Sequence, residues 1–281
     1  LIVSVRARCI GVVSMDEAHR RLTSGADARS FVVLTFDDGY RDNLQFAWPI
    51  LKRHAAPFTL YVPSAFAEGP GELWWVALEQ AIAREALIEV ALDGEERAFD
   101  CSTAELKQAA FAAIYAHLRA QRRDADLRRP VREIAFGYGI DMGKQCRALC
   151  MTWDELAVMA ADPLTTIGAH TVTHPILATI SAEAARAEMV DGAAAIEKHL
   201  GVRPEHVSYP VGGPDCAGPR EFALAAAAGF RTGVTTRPGV LFSDHGDHLL
   251  ALPRLSINGE FQRRRYLDVL LSGAASALAN R

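Results

Sequence analysis

Phe31-Val32-Val33-Leu34-Thr35-Phe36-Asp37-Asp38-Gly39 is the stretch that decides the architecture. Six β-branched, aliphatic and aromatic residues run straight into a turn-forming Asp-Asp-Gly, the pattern of a buried strand that surfaces in a loop. The same transition recurs far downstream, where Thr165-Thr166-Ile167-Gly168-Ala169 runs into His170-Thr171-Val172-Thr173-His174-Pro175. Proteins of alternating strands and helices place reactive groups in loops at the C-terminal ends of strands. Neighbouring side chains in an extended segment point opposite ways, so one of Asp37 and Asp38 can ligate a cation while the other stays free. His170 and His174, four residues apart, are expected to share one side of a helical turn and converge on one ion. Two imidazoles and a carboxylate leave coordination positions open, which suits a catalytic cation better than a structural one. A spared carboxylate beside such an ion points to metal-assisted hydrolysis.

Outward from these two places, strand-like runs at 31–36, 58–62, 165–169, 207–209, 232–236 and 252–257 alternate with helix-forming segments at 43–54, 182–200, 220–228 and 262–279. Such alternation gives an α/β fold of parallel strands joined by crossover helices. The stretch between Val62 and Thr165 is too long for a structureless loop. It reads as a helical insertion over 70–150, with helices at 72–86, 103–119 and 122–134 and a hairpin-like piece at 89–94. The whole of 1–281 is then a single domain carrying that insertion. The run 119–132, rich in Arg and Asp, reads as a solvated helix face or loop.

Half of the 281 residues are hydrophobic and the formal net charge is −4. That is enough apolar content for a substantial core. It offers no basic surface of the kind that nucleic acid or an anionic membrane attracts, so no nucleic-acid partner is expected. No apolar run approaches the ~20 residues that cross a bilayer, so no transmembrane segment is expected. Five cysteines, Cys9, Cys101, Cys146, Cys150 and Cys216, without a repeated Cys-x-x-Cys, speak against a disulfide framework or a zinc knuckle. A reducing compartment follows, with a cytoplasmic location as the expectation.

Thr35-Phe36-Asp37-Asp38-Gly39 and His170-Thr171-Val172-Thr173-His174-Pro175 resemble the first two motifs of the polysaccharide deacetylases, the carbohydrate esterases that share the NodB homology domain. Further segments agree in order: Pro57-Phe58-Thr59-Leu60-Tyr61-Val62, Met151-Thr152-Trp153-Asp154-Glu155-Leu156 and Val207-Ser208-Tyr209-Pro210-Val211-Gly212. The likeness runs over 12–257. It implies a distorted (β/α) barrel with fewer than eight regular strands. It also implies a metal-dependent hydrolase that removes N-acetyl groups from an amino-sugar oligo- or polysaccharide and releases acetate. Carried over residue by residue, it makes Asp38, His170 and His174 the ligands of a divalent metal, zinc first, with cobalt, manganese or iron suited to the same donors. Asp37 becomes the general base and the backbone N–H of Tyr209 an oxyanion donor beside the metal. The partner expected is an acetylated amino sugar. Trp74-Trp75 would pack the insertion against the barrel or stack on sugar rings.

Two departures matter. Many members carry an Arg shortly before the Tyr of the third motif, but here Pro204-Glu205-His206-Val207-Ser208 precedes Tyr209. The sequence instead resembles the Tyr-Pro-x-Gly branch, in which an Arg of a later strand takes that place. Arg254, in Leu252-Pro253-Arg254-Leu255-Ser256-Ile257, is the candidate, since a charge inside an apolar strand needs a partner. A Leu-x-Leu-His motif, whose His would protonate the leaving amine, is not evident. His245 and His248 lie upstream in a polar loop with no apolar strand before them. The missing acid keeps a catalytically degenerate carbohydrate-binding protein of the same fold as the alternative. A two-His-one-carboxylate iron oxygenase would share the ligands, but its antiparallel jelly roll conflicts with the strand–helix alternation.

Overall fold

The computed structural model describes residues 1–25, 29–257, 259 and 263–273. Its main sheet has six parallel strands: β1 (Leu34–Phe36), β2 (Phe58–Val62), β3 (Thr165–Ala169), β4 (His206–Ser208), β5 (Thr232–Pro238) and β6 (Leu252–Arg254). Their order in space is their order in the chain. The sheet curls into a half-barrel with helices around it, a distorted (β/α) barrel. All-parallel pairing removes the jelly-roll alternative.

Every residue of β2 is buried. A strand inside a parallel sheet is covered on both faces, which is why 58–62 is apolar but for Thr59. The register from Phe58↔Thr165 to Val62↔Ala169 holds the ends of β2 and β3 at one level, and Phe36↔Leu60 adds β1.

The run 31–36 serves two sheets. Phe31–Val32 pairs in parallel with Gly11–Val12, and after Val33 the chain passes to β1 in the main sheet. The strand expected at 252–257 stops at Arg254, and its register against β5 shifts between Leu252 and Arg254. Pro253 has no N–H to give to a ladder, and such irregularities re-aim the next side chain. The segment 43–54 is a π-helical turn, Asn43–Ala47, that continues as the α-helix Trp48–Arg53. Of the helix expected at 262–279, Arg264–Leu271 is seen, while 262 and 274–279 lie outside the described residues. Among the described residues no helix is long and apolar enough to cross a membrane.

The chain divides into two compact units, Leu1–Ser64 with Trp153–Arg281, and Ala65–Thr152. The second holds an antiparallel hairpin, Leu87–Leu92 with Glu95–Asp100. Asp93 and Gly94 turn it with φ of 54° and 84°, the left-handed pair that a two-residue hairpin loop requires. Around it stand the helices Trp74–Arg84, Ala104–Arg119, Asp124–Gly137 and Met142–Leu149, the last not foreseen from sequence although Asp141 caps it. Trp74 is 3 % exposed and stacks on Tyr115 with 5.2 Å between ring centroids, so its face is spent in the core of its own unit and is not open to a sugar. Arg128 also departs from the solvated face expected over 119–132. It is buried, pairing with Asp124 at 2.5 Å and Glu72 at 3.1 Å.

Gly168 in β3 lies against the fully buried ring of Tyr61, where an added Cβ would stand 2.3 Å from Tyr61 Cδ1. Gly168→Ala is expected to lower stability by about 1–3 kcal/mol through overpacking. The urea midpoint reads this directly, and an unchanged midpoint would mean that the ring has room to move.

Candidate active site

Asp37 and Asp38 follow β1, His170 follows β3, and Ser208 and Arg254 end β4 and β6. All five therefore meet at the C-terminal rim of the parallel sheet. Asp38 Oδ1 lies 3.4 Å from His170 Nε2 and 3.3 Å from His174 Nε2, and the three donor atoms stand within 4.8 Å of one another. Donors each about 2.0–2.2 Å from a tetrahedral cation are about 3.3–3.5 Å apart, so both spacings suit a shared ion. Asp38 Oδ1 is buried and accepts no hydrogen bond, an arrangement costly for a carboxylate unless a cation answers it.

His170 Nδ1 is 2.6 Å from the carbonyl oxygen of Ser208. A carbonyl only accepts, so Nδ1 carries a proton and the neutral ring keeps its lone pair on Nε2, facing Asp38. Burial works against a charged His170, but the neighbouring carboxylates of Asp38 and Asp37 outweigh it and raise the pKa. A proton and a cation would compete for the same place, so the affinity of this cluster for a cation would fall with pH.

The two imidazoles do not share a helical turn. Residues 170–174 form a loop in which Thr171 and His174 adopt left-handed backbone, with φ of 68° and 59°. The rings meet because this loop curls, with centroids 4.8 Å apart. The His174 amide donates to Thr171 Oγ1 at 3.1 Å. Asp38 and Val211 are left-handed too, with φ of 68° and 61°. Each such non-glycine residue costs about 1–2 kcal/mol, so strain gathers in the loops that follow β1, β3 and β4.

Asp37 has different company. Arg254 grips both its oxygens, Nη1 to Oδ1 at 2.9 Å and Nη2 to Oδ2 at 2.7 Å. The same guanidinium donates from Nε to Thr235 O at 2.8 Å and from Nη2 to Ser208 Oγ at 3.1 Å, and Ser208 Oγ donates to Asp37 Oδ2 at 3.3 Å. Burial pushes the Asp37 carboxyl upward, but the Arg254 charge, the His170 charge and the Arg254 hydrogen bonds prevail and hold it at about 2. A folded pKa below the ordinary 3.8 means that the stability it contributes is complete above 3.8 and lost as pH falls toward 2.

The Tyr209 amide and the two histidines of the polar loop keep other company. The Tyr209 amide donates to Val234 O at 3.2 Å, extending the sheet, so in this arrangement it is not available to an oxyanion. Tyr209 is a fully buried aromatic that packs on Phe222 and donates its hydroxyl to Leu250 O at 2.9 Å. His245 and His248 lie in the segment that leads into β6, at the end of that strand opposite Arg254. His245 Nδ1 accepts the Phe242 amide at 3.0 Å, and Gly246 packs against Leu22. Neither imidazole belongs to the rim.

Sequence reasoning missed Ser208 and Glu188. Ser208 touches Asp37 and Arg254 through its hydroxyl and His170 through its carbonyl. Glu188, on the helix Ala182–Leu200, accepts the amides of Val172 and Thr173 at 2.9 Å each. Replacing Arg254 by Gln removes the charge that outweighs burial at Asp37. The acid limb of kcat/KM is expected to move up by roughly one unit or more, and a limb that stays in place would take Arg254 out of the site.

The polysaccharide deacetylase family model matches residues 24–95 and 103–232. Comparison with curated protein sequences gives no match. Among solved structures, the chain is similar to a Streptococcus pyogenes deacetylase, PplD, in complex with acetate, with 20% identity and a TM-score of 0.61 over 96% of this chain and 83% of that one. It is similar also to IcaB from Ammonifex degensii, with 17% identity and a TM-score of 0.56 over 95% and 83% of the two chains. For the BpsB deacetylase domain from Bordetella bronchiseptica the values are 16%, 0.56, 89% and 80%. At such identities the structures establish a common fold, and the family match spans well over half of the sequence. The chain belongs to the polysaccharide deacetylase family.

Proposed function

We propose that this chain is a metal-dependent N-deacetylase that hydrolyses the acetamide of an acetylated amino-sugar oligo- or polysaccharide, releasing acetate and leaving a free amine. The observation that carries this reading is the division between two adjacent carboxylates. Asp38 Oδ1 faces two imidazoles, while Asp37 is held apart by Arg254. Asp38, His170 and His174 would hold the divalent cation, and zinc is the first choice for that donor set. When bound, it supplies Lewis acidity, polarising the acetyl carbonyl and acidifying the attacking water.

Asp37 takes the proton of that water. With its pKa held at about 2 it is a weak base, so the transfer depends on an acidified water, and what Arg254 contributes is orientation. Once protonated, Asp37 is a strong acid beside the bond that breaks. We assign to it the return of the proton to the departing amine, because His245 and His248 lie in the segment before β6, at the end of that strand opposite Arg254. Ser208 orients base and ligand together, its hydroxyl toward Asp37 and its carbonyl toward His170. Tyr209 anchors the turn after β4 through its buried ring and hydroxyl. The acetate recorded with the Streptococcus pyogenes deacetylase is the product this reading requires.

Acetate release from N-acetylglucosamine oligomers, measured with and without a chelator, tests the proposal. Release that stops on chelation and returns with zinc supports it. Oligomer binding without acetate under any metal would make the chain a carbohydrate-binding protein that has lost turnover. Asp37→Asn is expected to cut turnover by about 10²–10⁴-fold while metal content stays near normal, whereas His174→Ala loses both. Loss of metal from Asp37→Asn would reverse the two aspartates.

A further inference from the structure

We propose that Glu188 is a positioning residue for the metal centre, its carboxylate setting the curl of the 170–174 loop that brings His170 and His174 to Asp38. The inference rests on the metal-site reading above. Left-handed backbone at Thr171 turns the amides that follow toward a common point, a concavity that suits an anion. Glu188 supplies that anion from within the chain. Its Oε2 accepts the amides of Val172 and Thr173 at 2.9 Å each, and its Oε1 accepts Thr173 Oγ1 at 2.8 Å. An ionised carboxylate only accepts, so all three donors match it, and its charge strengthens each bond.

Gly192 stands one turn further along the same helix, on the same face. An added Cβ there would lie 2.6 Å from Thr171 O and 2.7 Å from Thr171 C, so only glycine lets the helix lie against the loop. The loop is thus held at 171 by close contact, at 172 and 173 by Glu188, and at 174 by Thr171 Oγ1. Both imidazoles branch from the ends of this held segment. The 3.3 and 3.4 Å spacings to Asp38 therefore depend on a carboxylate that touches neither metal nor substrate.

The test strips the full chain of metal, reloads it with Co2+, and reads affinity by competition and the visible spectrum of the bound ion, beside the thermal midpoint of the metal-free protein. Glu188→Ala is expected to weaken Co2+ binding roughly 10–100-fold, the range for partners that orient metal ligands. Glu188→Gln, which keeps the shape and loses the charge, falls between that variant and the parent. Gly192→Ala weakens binding independently. Glu183→Gln, on the exposed first turn of the helix, leaves affinity unchanged. A parent protein that binds no Co2+, or binds it equally well after His174→Ala, sinks the metal-site reading and this inference with it. A parent that binds while Glu188→Ala binds within twofold of it overturns the role of Glu188 alone, and so does a lower thermal midpoint with unchanged affinity. If Glu188→Ala does not fold, Glu188→Gln and Gly192→Ala decide, and twofold or smaller effects in both overturn the proposal.

Discussion

The guanidinium of Arg254 joins the two edges of the curled sheet. β1 and β6 are the outermost strands of the six, with no ladder between them. From the end of β6, Arg254 reaches across to Asp37 beyond β1 and to Thr35 Oγ1 within it, the latter at 3.3 Å. A closed barrel would spend backbone hydrogen bonds at this seam. Here one side chain spans it and fixes the orientation of a rim carboxylate in the same contact. The register shift at Pro253 serves that end, because it aims the Arg254 side chain across the opening.

Asp37 and Asp38 acquire separate environments from their neighbours along the chain and across the sheet. Asp37 continues the direction of Thr35, both reached by the same guanidinium. Asp38 takes left-handed backbone and turns to the imidazoles. The charge on Arg254 favours an ionised Asp37, while the buried Oδ1 of Asp38 has two ring nitrogens and no hydrogen-bond donor. Ser208 couples the two halves, so a shift of β4 would disturb the Arg254-bound carboxylate and the imidazole that faces Asp38 at once.

Much of this was legible in the sequence, and the failures share a cause. Runs 58–62 and 165–169 match β2 and β3 residue for residue, and for β2 the reason is that a strand covered on both faces reads as a mostly apolar run. The break at Val33 was not legible, since what splits 31–36 is the distant partner Gly11–Val12. The partner of the Tyr209 amide likewise follows from the pairing of β4 with β5, which no local pattern encodes. A spacing of four suggested a helical turn for the imidazoles, yet a β-branched Thr gives no sign of the left-handed backbone that curls their loop. Contacts from a later helix accompany that curl. Glu188 looks like any charge on an alanine-rich helix, and the one local cue was Gly192, a residue that weakens a helix and so marks a close approach.

β2 and β3 pair over five consecutive positions although residues 65–152 separate them in the chain. For the sheet, that whole stretch is one loop, and the entropy of closing a loop grows only with the logarithm of its length, about 0.6 kcal/mol per doubling. A change in its length therefore adds little closure entropy to the pairing of the strands on either side. In closure entropy alone the stretch is a cassette: its length can change with little cost to the pairing of the strands it joins.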